Sequence, residues 1–139
     1  IRGSYWTDAE RTLLELPLTS VFWGMLRKQG QQIFPLARKL PLLGGALAKL
    51  GLLERIGLTP EGVTKEEALR AVDIAIDDGL PVLVLSFHSP SLAPGHTPYV
   101  RTEEDLDALY DWLRGVYGYL DMRGVRPTTV AEIMTAVDA

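Results

Sequence analysis

The sequence predicts an α/β fold, and three observations carry that expectation. The run Val82–Phe87 (VLVLSF) is apolar, unbroken and too short for a free-standing helix, which is the pattern of a strand buried on both faces. Before it, Thr64 and Glu67 stand at capping-box spacing ahead of a stretch with helical period, and Gly79 separates that stretch from the apolar run. After it, Thr102 precedes three acidic residues and a second, longer helical pattern. Helix, strand, long helix, short extended piece and helix form an α/β rhythm with parallel strands. In such sheets working loops lie at the carboxyl ends of the strands.

Taken in order, the piece LLELPLTS reads as a strand that Pro17 confines to an edge or an end. A short apolar segment from Ser20 follows, VFWGML, closing at the polar turn Arg27–Gly30. Phe22 and Trp23 are expected in the core or at an interface. Pro35–Ile56 reads as helical because leucines recur at 36, 40, 43, 47, 50 and 53, with Pro41 and Gly44-Gly45 splitting it into short helices. Residues 31–61 are thus expected to form a helical insertion over an apolar surface. Lys39, Lys49 and Arg55 could rim a lipid-facing surface there, but the interrupted pattern argues against a membrane role. The helix after Thr64 has Ala68, Leu69, Val72, Ile74, Ala75 and Ile76 to bury. Leu106, Leu109, Leu113, Val116, Tyr117 and Leu120 form a stripe on a helix of about five turns. Val125–Thr128 is extended, and Thr129 with Glu132 caps a last helix, Val130–Val137.

Composition narrows the function classes. With 14 basic and 18 acidic residues the net charge is -4, which disfavours a nucleic-acid surface. The chain has no cysteine, so disulfides, zinc–thiolate sites and thiol chemistry are excluded. No run approaches the ~18 apolar residues of a spanning helix. The sequence opens on Ile1 without an initiator Met or a signal-peptide pattern, and the expectation is that it is the later portion of something longer.

Both histidines lie on the loop that leaves Val82–Phe87. His88 follows the expected strand directly, where α/β enzymes place acids and bases, and an imidazole there can exchange a proton at neutral pH. A histidine satisfied at a strand end is the equally weighted alternative. His96 sits in Pro94-Gly95-His96-Thr97-Pro98, and with no Asp or Glu between Val82 and Val100 it reads as a loop or substrate contact. No metal site is assigned to this chain. Ser86, Ser89 and Ser91 lack a Gly-x-Ser-x-Gly elbow, and Gly44-Gly45 lacks the Lys and strand of a phosphate loop. The pairs Glu66–Glu67, Asp77–Asp78 and Glu103–Glu104 lie at helix ends and read as caps or solvated groups.

The segment LVLSFHSPSLAPGHTPYVRTEEDLDALYDWL, followed by GVRPTTVAEI, resembles the C-terminal part of polysaccharide deacetylases of the NodB-homology type, carbohydrate esterase family 4, closest to a bacterial WalW-like subgroup. LLELPLTSVFWG is similar to the strand and turn that precede it there, and residues 31–61 are unmatched. The resemblance covers about half of the chain. It implies that residues 1–139 are the C-terminal portion of one incomplete (β/α) barrel domain acting on acylated carbohydrate. In that family a metal, usually zinc, held by an Asp and two His, activates water for attack on the acyl carbon, and a further Asp serves as base. Those motifs are absent from this sequence. Leu85-Ser86-Phe87-His88 matches the last family motif, implying that His88 is the general acid and Leu85 lines the acyl pocket. Such a chain is expected to be inert alone and to self-associate through exposed sheet edges. A non-catalytic carbohydrate-binding or interaction module on the same scaffold is the competing reading. The sequence assigns no compartment.

Overall fold

The computed structural model describes residues 5–39, 45–47 and 49–138. The chain is a mixed α/β protein in which helix outweighs strand. β1 (Tyr5–Trp6) pairs with β2 (Leu14–Glu15) as a short antiparallel ribbon, with Tyr5 opposite Glu15. β3 (Ser20–Trp23) pairs antiparallel with β4 (Glu54–Gly57), Val21 lying opposite Ile56. The piece LLELPLTS therefore contributes to two strands, one on each side of Pro17, which has no N–H to continue a ladder. Between β3 and β4 the chain runs through a 3₁₀ turn at Arg27–Gln29 and α1 (Gly30–Lys39).

The expected helical reading of Pro35–Ile56 holds until its last residues. α1 covers its start, residues 45–47 and 49 are helical again, residues 40–44 and 48 lie outside the described residues, and Glu54–Gly57 is strand. Register explains the last point. Ile56 is buried beside Val21 while Arg55 turns to the other face, where its guanidinium bonds Ser20 Oγ, an alternation that only a strand provides. The leucine spacing that suggests a helix stops mattering at Leu53.

α2 (Lys65–Asp77) begins and ends as its sequence dictates. Thr64 and Glu67 form the reciprocal capping box. At the other end Gly79 adopts φ +72°, its N–H bonds Ile76 O, and Leu80 N–H bonds Ala75 O. That pair of bonds is a Schellman ending, in which glycine avoids the strain of the left-handed region. α3 (Glu103–Met122) is capped by Thr102 and Asp105 and closes the same way at Gly124, where Val125 N–H bonds Leu120 O. α4 (Val130–Asp138) starts at the Thr129–Glu132 box.

α2 lies between the β3–β4 sheet and α3. One of its faces, Ala71, Ile74 and Ala75, packs on Val21 and Ile56, with Trp23, Leu80 and Leu83 at the margin. The other, Ala68 and Val72, packs on Trp112 and Val116 of α3 and on Leu58. Three alanines on α2 let both neighbours approach closely, and each buried valine or leucine is worth about 1.5–3 kcal/mol. The α3 stripe is rotated from its expected setting. Trp112 is buried and its Nε1–H bonds Val63 O at 2.9 Å, whereas Tyr117 is 56% exposed. The outer edge of the α2–α3 contact is tied by Tyr119, whose hydroxyl donates to the Asp73 carboxylate at 2.8 Å, and Arg123 pairs with the same carboxylate.

The expected parallel strand Val82–Phe87 is extended but forms no ladder. Val84 O accepts Thr19 N–H at 3.1 Å, yet Val84 N–H goes to the Thr19 hydroxyl rather than to a main-chain carbonyl, and Ser86 N–H bonds Leu58 O. A side chain replaces one rung, so regular pairing does not propagate.

Gly24 offers a first test. Its φ is +112°, and a Cβ there would lie 2.5 Å from Leu52 O, because the turn after β3 stacks on the segment leading into β4. Gly24→Ala is expected to cost about 2 kcal/mol through backbone strain and overlap with a carbonyl that cannot swing away. A thermal midpoint equal to that of the parent chain would show that the turn is not held as described.

Candidate functional site

The site is built on the turn that follows β4. Thr59 Oγ1 accepts the Glu61 N–H at 3.2 Å, and Gly62, at φ +81°, reverses the chain toward the α2 cap. Space at Gly62 matters too, because Tyr99 lies over it, with Cε1 3.8 Å from where a Cβ would stand. Trp112 holds the next residue, Val63, by its carbonyl. This turn directs Glu61 inward, and its side chain is only 6% exposed.

The Glu61 carboxylate is fully engaged by the histidine loop. Its Oε1 accepts the His88 main-chain N–H at 3.0 Å and the Ser91 hydroxyl at 2.6 Å, while Oε2 lies 2.6 Å from His88 Nδ1. Burial works to raise the Glu61 carboxyl, but the hydrogen bonds from Ser91, from the His88 N–H and from the His88 ring together outweigh it and hold it below its usual range. The group is therefore an anion at neutral pH and can only accept. It follows that Nδ1 carries a hydrogen and that the second ring nitrogen, Nε2, is the one left to exchange a proton. The His88 side chain is 76% exposed, so the exchange is with whatever approaches from outside.

Behind the dyad the loop is internally wired. Ser91 is completely buried, and because its only hydrogen goes to Glu61, the Thr97 hydroxyl 3.1 Å away must be the donor to it. Thr97 in turn accepts the Val100 N–H at 3.3 Å. The 3₁₀ turn Ser89–Leu92 closes with Ser91 N–H on His88 O. Ser91 bonds the carboxylate and not the imidazole, so the three side chains are not a nucleophilic triad. What they build is a carboxylate–imidazole pair with one outward nitrogen, suited to donating or accepting a proton.

The other candidate residues are placed differently. Leu85 is half-buried and packs on the Leu58, Ala68, Val72, Trp112 and Val116 cluster. His96 is exposed on the same loop, and no hydrogen bond or ion pair joins it to Glu61, His88 or Ser91. A groove of about 190 Å³ lies between this loop and α3, lined among others by Pro60, Tyr99, Asp105 and Trp112; neither His88 nor Leu85 lines it. Among the described residues no three His, Asp or Glu side chains converge as metal ligands. None of the described helices is long and apolar enough to cross a membrane.

Glu61 is the site residue that the sequence alone does not single out. Its signal is an acid inside Thr59-Pro60-Glu61-Gly62 directly after a strand, and that signal is invisible while the preceding residues are taken for helix. Compared with family models, with curated proteins and with solved structures, the chain matches none.

Proposed function

We propose that the chain is the proton-donating part of a hydrolase acting on acylated carbohydrate, as its resemblance to the C-terminal portion of NodB-type polysaccharide deacetylases implies. The observation that carries this reading is the Glu61–His88 pair, a buried anion fixing an exposed imidazole at the end of an extended segment. Glu61 holds the ring in one orientation and keeps the hydrogen on Nδ1. Nε2, once protonated, gives its hydrogen to the departing amine nitrogen or alcohol oxygen as the C–N or C–O bond from that atom to the acyl carbon breaks, and Glu61 balances the imidazolium charge beforehand. The zinc-type metal that the family uses does not fit the side chains described here, which bring no three ligands together, and no step through it is assigned to them. The attacking water and its activation would come from residues beyond those described. The incomplete barrel belongs to this same reading.

Two measurements on the 139-residue chain test it. Acetate release from N-acetylglucosamine oligomers, with zinc added, is expected to be nil; turnover would overturn the division of labour. Addition of the same oligomers is expected to shift the His88 ring signals in a proton–nitrogen spectrum and to leave those of His96 nearer their free positions. An unchanged His88 at millimolar oligomer would argue for a scaffold that has no part in carbohydrate chemistry.

A further inference from the structure

The main-chain groups of Val82–His88 divide by parity. Val84 N–H and C=O meet Thr19, Ser86 N–H meets Leu58 O, and His88 N–H meets Glu61 Oε1. All three are even-numbered, and all three point to the side of β3, β4 and the turn after it. In an extended chain the N–H and C=O of one residue share an edge and those of the next residue take the opposite edge. The groups of Leu83, Leu85 and Phe87 therefore form a second edge, and among the described residues nothing donates to or accepts from them. Apolar strand residues with an unpaired edge are a template for another strand.

We infer that this edge pairs antiparallel with the same segment of a second copy, about a two-fold axis at Leu85. Three features select a second copy. Between Gly79 and Val100 the sequence holds no Asp, Glu, Lys or Arg, so like charges do not meet on self-pairing despite the net charge of -4. The segment VLVLSF is rich in β-branched and large apolar residues with no proline inside it. This edge, unpaired among the described residues, is also self-complementary. With Leu85 facing the partner's Leu85, Leu83 falls opposite the partner's Phe87, and every N–H on that edge meets a C=O of the other copy. An isologous contact requires this symmetry. The pairing also sets His88 opposite the partner's Val82, so that assembly walls one side of the imidazole.

In this register Val84 stands opposite the partner's Ser86 at a position not hydrogen-bonded across the axis, where Cα atoms are about 4.5 Å apart and a disulfide can form. The 139-residue chain has no cysteine of its own. Sedimentation equilibrium is expected to show reversible doubling of the 15.3 kDa mass. A mixture of Val84→Cys and Ser86→Cys chains is expected to cross-link on mild oxidation at least tenfold faster than either variant alone. The double variant Val84→Lys/Ser86→Lys, which sets lysine against lysine, is expected to lose the dimer while its helical circular dichroism is unchanged. A monomer at all concentrations overturns the proposal, which is also the outcome if a strand from elsewhere in a longer chain is the true occupant. Equal cross-linking of the mixture and the single variants overturns the register and with it the two-fold pairing.

Discussion

Trp112→Ala is expected to destabilise the chain by about 4–6 kcal/mol. Trp112 is buried at the centre of the contact among α2, α3 and Leu58, and truncation of a buried tryptophan costs about 3–5 kcal/mol in transfer and cavity terms. The lost Nε1–H bond to Val63 O adds about 1 kcal/mol and leaves that carbonyl to find water. A domain of this size has on the order of 5–15 kcal/mol in total, so the substitution removes a large fraction of it. The thermal midpoint should fall by roughly 10–20 °C. Trp112→Phe keeps most of the volume and loses the hydrogen bond, and should fall by about a third as much. Because Val63 follows the Glu61–Gly62 turn directly, the alanine variant should also broaden the His88 ring signals below its midpoint. A melting curve within 2–3 °C of the parent's would mean that the α2–α3 contact does not depend on this ring.

The parts of this structure that could be read beforehand are those whose cause is local. The boxes at Thr64 and Thr129 and the cap at Thr102 each need only residues up to three apart, and the glycine endings at Gly79 and Gly124 need only the absence of a side chain where φ turns positive. The three helices α2, α3 and α4 and the apolar Val82–Phe87 segment follow from such signals. What escaped is non-local. β4 is a strand because Val21 and Ile56, far apart in sequence, share one face, and leucine spacing outside β4 points the other way. The rotation of α3 that buries Trp112 and exposes Tyr117 depends on the alanines of α2. Within the site, His88 could be named from its place after an extended segment, whereas its partner could not. Glu61 lies 27 residues earlier in a turn that becomes visible only once β4 is known. The ladder that Val82–Phe87 fails to complete was hidden for a similar reason, since the Thr19 hydroxyl that interrupts it comes from a distant part of the chain.

Glu61→Ala should destabilise the chain by about 3 kcal/mol, and its pH dependence separates charge from packing. The carboxylate takes hydrogen bonds from the His88 N–H, the His88 ring and the fully buried Ser91 hydroxyl, and bonds to a charged acceptor are each worth about 1.5–3 kcal/mol at most, less where the donor is solvated. Ser91 keeps Thr97, which limits the loss. Glu61→Gln retains one carbonyl acceptor and should cost about half as much. The sign of the pH effect follows from the direction of the Glu61 shift. Its folded pKa lies below the unfolded value of about 4.3, so the ionised group contributes stability that is fully present above that value and is lost as pH falls through the lower folded pKa. Other carboxylates move the same way, among them Glu67, Asp105 and Glu132 at their helix caps, so the acid limb of the parent chain alone says little. The difference between the parent and Glu61→Gln removes them. That difference should be constant near neutrality, shrink below about pH 4.3 and be smallest in the most acidic range where both chains still fold. A gap independent of pH would show that Glu61 acts by shape and not as the anion that orients His88. In that case the exposed imidazole is not set for proton transfer in the way described.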